Sequence, residues 1–153
     1  MAVVLLSFAV AAVACAFLWH WWWAPAPEGF VVQDMAYFLP DEEFRSTGTY
    51  VAVAAPAGVL LGVLLTWLLR RDPLAVLVAV LAGSAGAAAV MAVVGHALGP
   101  DSAHAAAQTM EEYASVRADL RVEPGAAWLA FPVGAVTGAF FVLLGGTPAP
   151  YED

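Results

Sequence analysis

Charge is what this sequence has least of. Asp, Glu, Lys and Arg make up 12% of the residues and hydrophobic residues 63%, whereas about a quarter of a soluble domain is charged. Lysine is absent, so all five basic residues are arginines, and thirteen acids bring the net charge to −8. An acidic chain so poor in base is not expected to bind nucleic acid, because phosphates would have to approach carboxylates. The one cysteine, Cys15, can close no internal disulfide. It follows Ala12-Val13-Ala14, without the leucine of a lipidation signal, and reads as a small apolar packing residue. The sequence also lacks a glycine-rich phosphate loop, carboxylates paired for acid–base work and a Ser, His and Asp set. No enzyme activity and no cofactor are expected.

What is present is apolar length. A mean hydropathy of +0.82 marks an integral membrane protein. Four runs, residues 2–23, 49–69, 74–99 and 126–146, contain no Asp, Glu, Lys or Arg. Each is long enough to cross about 30 Å of hydrocarbon as a helix. The start lacks a basic n-region, and Pro27 follows the small-x-small site Ala24-Pro25-Ala26, so the first run is expected to be retained as a span rather than cleaved. Arg70-Arg71 between the second and third runs places that turn in the cytoplasm, with both termini. The outer connections, residues 24–48 and 100–125, then face out. The first holds five acids against Arg45, net −4, and the second five against Arg117 and Arg121, net −3. These surfaces suit cations or a basic protein face, or are simply solvated.

A shift of 76 residues lays the chain on itself without a gap: His20 falls on His96, Tyr37 on Tyr113, Arg45 on Arg121, Pro56 on Pro132, Gly58 on Gly134 and Gly62 on Gly138. Twice 76 is 152 in a chain of 153 residues, so the pattern reads as a tandem duplication of one helical hairpin. Residues 1–76 form the first repeat and 77–153 the second, the latter ending in a tail at 147–153. The fold expected is all-α, a bundle of four membrane-spanning helices from two tandem hairpins. Gly58 and Gly62, extended by Ala54, and Gly134 and Gly138, extended by Ala130, each give one helix a small-residue face, the GxxxG arrangement that lets backbones approach in lipid. Ala79, Gly83 and Ala87 do the same in the third span. Pro56 and Pro132 are expected to bend their helices. A gated path is the alternative use of such helices, but the spans hold few polar groups, among them Ser7, Thr66, Ser84, Thr137 and two histidines.

His20 and His96 are brought by the repeat to equal depth near the outer boundary. Two imidazoles can ligate a metal or haem. With no cysteine or carboxylate at ligand spacing, they read instead as interfacial residues, His20 amid the aromatic anchor Trp19, Trp21, Trp22 and Trp23. No metal is expected. Arg45 and Arg121 precede the re-entering helices, close enough to the surface to contact lipid phosphate or local acids. The outer connections read differently from each other. Phe30–Leu39 and Phe44–Tyr50 around Pro40-Asp41-Glu42 predict a β-hairpin over about 30–50. The alanine-rich stretch 102–120, with Ala106, Met110, Tyr113, Arg117 and Leu120 on one stripe, predicts a helix. Tyr37 and Tyr113 would then match in sequence but not in conformation.

Leu98-Gly99-Pro100-Asp101, Asp119-Leu120-Arg121-Val122 and Trp128-Leu-Ala-Phe-Pro132 resemble segments of an actinobacterial family of uncharacterised membrane proteins with four spans and two outer loops. The all-arginine base set and abundant alanine look like a high-GC organism. The resemblance implies the topology and lends no catalytic residue. The function expected is a non-catalytic accessory or scaffold protein of the cell membrane, docking a membrane protein or a second copy of itself through its acidic outer surface. The alternative is a small transport or ligand-binding unit with a site between the repeats at the outer leaflet.

Overall fold

The computed structural model describes residues 1–69, 72–123 and 125–145, with Glu43 as backbone only. The Arg70-Arg71 turn and the expected tail at 147–153 lie outside the described residues. The chain runs α1 (Ala2–Trp23), β1 (Glu28–Val32), β2 (Met35–Tyr37), α2 (Pro40–Leu68), α3 (Pro73–Leu98), α4 (Ala103–Ala107), β3 (Ser115–Arg117), a 3-10 turn (Ala126–Leu129) and α5 (Ala130–Gly145). Among the described residues four helices are long and apolar enough to cross a membrane, and they fit a multi-pass membrane protein. Around the bundle α1 packs on α3, α3 on α5, α5 on α2 and α2 on α1. Within its most apolar 18 residues the third helix is half buried, against about a third in the other three, because its core-facing stripe is continuous: Val76, Ala79, Val80, Gly83, Ser84, Ala87, Ala88, Met91.

Glycine sets the closest contact, between α2 and α5. A Cβ built on Gly58 would strike the Phe131 carbonyl oxygen, and one on Gly134 would strike that of Ala55. Likewise Gly62 faces the Ala135 oxygen and Gly138 the Val59 oxygen. Phe131 follows Ala55, and Ala135 follows Val59, by the same 76 positions that separate the glycines (131 − 55; 135 − 59). The contact is thus reciprocal between the two helices. Ala54 is fully buried, while Ala130 is half-buried on the same core. On the opposite side of the bundle α3 takes rings from α1: Gly83 faces Phe8 and Gly95 faces Trp19. Ala79 and Ala87 are buried on that helix. Phe8 in turn meets Phe131 edge to face at 6.0 Å.

The outer part departs from the sequence expectation in three places. First, α2 begins at Pro40, not Thr49. Pro40 occupies its first turn, where a missing N–H costs nothing and φ is pre-set, and Asp41 and Glu42 suit the positive end of the helix dipole. Residues 44–50 are therefore helical and not a strand. Second, the hairpin is smaller and closes earlier, at Gln33 and Asp34, both with positive φ, a two-residue turn whose twist matches that of paired strands. Val32 and Met35 close it, with Phe30 opposite Tyr37. Third, the helix expected over 102–120 is only Ala103–Ala107, and Ser102 makes no side-chain cap bond. The chain turns, Tyr113 takes a positive φ, and β3 adds to the free edge of β1, with Glu28 opposite Arg117.

The second connection thus completes a three-stranded sheet begun by the first, in the order β2-β1-β3. Its inner face, with Val31 and Val116, packs on Ala103 and Ala107 of α4. Its outer face carries Phe30, Tyr37, Met35 and Ser115, all exposed. The fold is consequently helical with a small sheet cap, not all-α.

Candidate functional site

Where the cap meets the bundle, a chain of hydrogen bonds joins the first half of the chain to the second. Ser46 Oγ donates to the Arg121 carbonyl at 2.7 Å, and the Glu123 N–H donates to Thr47 Oγ1 at 3.1 Å. Trp19 Nε1 donates to the Ser46 carbonyl at 2.9 Å and to Thr49 Oγ1 at 3.2 Å. The Trp19 ring lies 5.2 Å from Tyr50, whose hydroxyl donates to the Ala88 carbonyl at 3.3 Å. These bonds satisfy buried groups that would otherwise cost about 1–3 kcal/mol each. They fix the 118–123 segment to the first turns of α2.

Beneath this tie lies a polar cavity with about 50 Å³ of room for water, lined by Trp23, Glu42, His104, Asp119, Arg121 and Glu123 among others. Asp119 is nearly buried, and its Oδ2 is 4.0 Å from Arg121 Nε, while half of the Arg121 side chain stays exposed. Trp23 is 1% exposed, and its Nε1–H has no acceptor among the described residues. The cavity therefore offers carboxylates, one guanidinium and an uncommitted indole donor. With Ser46 and His104 also in the lining, these are groups able to hydrogen-bond a polar ligand.

Two apolar grooves flank it. One, of about 290 Å³, runs between α3 and the approach to α5 and is lined by Ala92, Val93, His96, Arg121, Val122 and Trp128. The other, of about 610 Å³, lies between α2 and the 3-10 turn, among Phe44, Val51, Leu129 and Val133.

The residues singled out from sequence fall in distinct places. Gly58, Gly62, Gly134 and Gly138 lie in the helix contact, not at the cavity. Pro56 sits inside α2, whereas Pro132 stands in the first turn of α5, just after the 3-10 turn, where no intrahelical N–H bond is lost. His96 Nδ1 lies 3.1 Å from the Leu120 carbonyl, so the nitrogen carries the proton and donates. His20 follows Trp19 near the end of α1, half-buried. Among the described residues no three His, Cys, Asp or Glu come together as a metal cluster. Arg121 reaches the cavity, and the Arg45 carbonyl accepts from Thr49 Oγ1. The tryptophan cluster divides: Trp21 and Trp22 are exposed, but Trp19 and Trp23 are buried. Ser46, Thr47 and the Trp23 donor were not singled out. Thr47 and Glu123, which bond each other, stand 76 apart, so the repeat spacing itself held that signal. Compared with protein-family models, with curated proteins and with solved structures, the chain matches none.

Proposed function

We propose that this chain is a multi-pass cell-membrane protein with both termini cytoplasmic and its sheet cap outside, acting as a non-catalytic accessory or scaffold subunit. Supporting the orientation are the paired arginines between the second and third spans. The observation that carries the functional reading is the outward face of the sheet, where Phe30 is 62%, Tyr37 54% and Met35 43% exposed. Aromatic side chains and methionine gathered on one exposed face are the composition of a protein contact. Glu28, Asp34, Glu111 and Glu112 nearby favour a partner with basic residues around an apolar centre. The likeness to the actinobacterial four-span family belongs to this reading. The test is purification from native membranes. A stoichiometric membrane-protein partner that is lost from Phe30→Asp/Tyr37→Asp, while the variant stays membrane-integrated and folded, supports it; a wild-type chain that purifies alone contradicts it.

A second reading, a small ligand-binding or transport unit with its site between the repeats, is favoured by one observation, the orphan Trp23 donor over the acid-lined cavity.

A further inference from the structure

Arg121 borders two spaces of opposite character. On one side is the cavity with Glu42, Asp119 and Glu123; on the other is the groove with Val93, Val122 and Trp128. In a membrane protein whose spans end at this level, that juxtaposition describes an amphiphile, with the guanidinium at the join between head and tail. We propose that it binds a phospholipid of the phosphatidylethanolamine class. The lipid phosphate accepts from Arg121, its primary ammonium donates to the carboxylates of the cavity, and an acyl chain lies along the groove.

Each alternative headgroup leaves a mismatch. A net anionic lipid would set its charge beside three carboxylates, with one guanidinium and the His104 imidazole as the basic groups of the lining. A choline headgroup has no N–H to donate to the carboxylates. The His96 Nδ1–H is committed to the Leu120 carbonyl, so that nitrogen does not compete for the lipid phosphate. The buried Trp23 Nε1–H, without an acceptor in the described protein, finds one in a headgroup oxygen or in a water held beneath it.

The inference rests on the membrane reading above, so membrane integration is scored separately, by carbonate extraction. The binding test is native mass spectrometry of the full chain in detergent with equal amounts of dioleoyl phosphatidylethanolamine, phosphatidylcholine and phosphatidylglycerol. Retention of the ethanolamine lipid about tenfold above the other two is expected, and Arg121→Gln is expected to lower that retention about tenfold, the loss of one charge-assisted hydrogen bond to the phosphate. Glu42→Gln/Glu123→Gln, which keeps shape and removes charge, is expected to move the preference toward phosphatidylglycerol. Equal retention of all three lipids by the wild-type chain would overturn the proposal. So would an Arg121→Gln protein that melts like wild type and retains the ethanolamine lipid as strongly as wild type. Should that variant not fold, an unshifted preference in the double glutamine variant is equally decisive.

Discussion

Two helix contacts carry this bundle, and they solve the same problem in opposite ways. Between α2 and α5 both helices contribute glycine, and each glycine faces a carbonyl that is the repeat counterpart of the one its partner faces. Between α1 and α3 the contribution is one-sided: position 19 is tryptophan, position 95, its counterpart, is glycine, and the two touch each other. A two-fold relation between the two halves would permit both. Near the axis equivalent residues must meet, so they are either both small or one large and one small. The first solution brings backbones together; the second retains a ring large enough to bond Ser46 and Thr49 and to pack on Tyr50. The α1–α3 contact thereby connects the bundle to the cap, and the α2–α5 contact holds only the bundle.

That contrast can be broken from either side. The largest effect is expected at the symmetric contact, because backbone cannot yield as side chains do. Gly62→Leu or Gly138→Leu should separate α2 from α5 and abolish a cooperative thermal transition in detergent, and the alanine variants should cost about 1–3 kcal/mol. Next comes the asymmetric contact. Trp19→Gly should lose about 3–5 kcal/mol for the emptied core volume, and Gly95→Trp should be at least as damaging. The exchange Trp19→Gly/Gly95→Trp should be more stable than either single variant, as a swap across a two-fold axis restores one ring per contact. Additive losses would remove the axis. A smaller loss, about 1 kcal/mol, is expected for Ser46→Ala, which frees the Arg121 carbonyl from its bond. Gly86→Ala, where an added Cβ meets nothing within 4 Å, should be neutral or stabilise by up to about 1 kcal/mol through helix propensity; it is the control that the glycine losses come from contact.

How far the sequence could be read follows the same division. Spans are written in uninterrupted apolar length, so α1 and α3 end within a residue or so of their expected bounds. The glycine faces were legible as faces, yet spacing within a helix does not say which other helix a face meets. The start of α2 was hidden because residues 40–48 carry Asp41, Glu42, Glu43 and Arg45 and break the apolar pattern, although Pro40 is a helix-start signal in its own right. β3 could not be seen locally: its three residues gain their conformation from pairing with β1, some 85 positions away (Arg117 with Glu28 differs by 89, Ser115 with Phe30 by 85), and alternation over three residues is too short to register. The tryptophan cluster misled because interfacial and buried rings share one composition. Only the helical spacing of Trp19 and Trp23, four residues apart and both buried, separates them from Trp21 and Trp22.

Every functional statement depends on the sheet cap lying outside the cell above four spans, and impermeant labelling reads that directly. With Cys15→Ser as background, single cysteines at Ser115 and Asp34 should react with a membrane-impermeant maleimide on intact cells, and one at Asp72 only after the cells are opened. Labelling of Asp72→Cys on intact cells, or protection of both cap positions, would contradict the topology and the roles assigned to the cap.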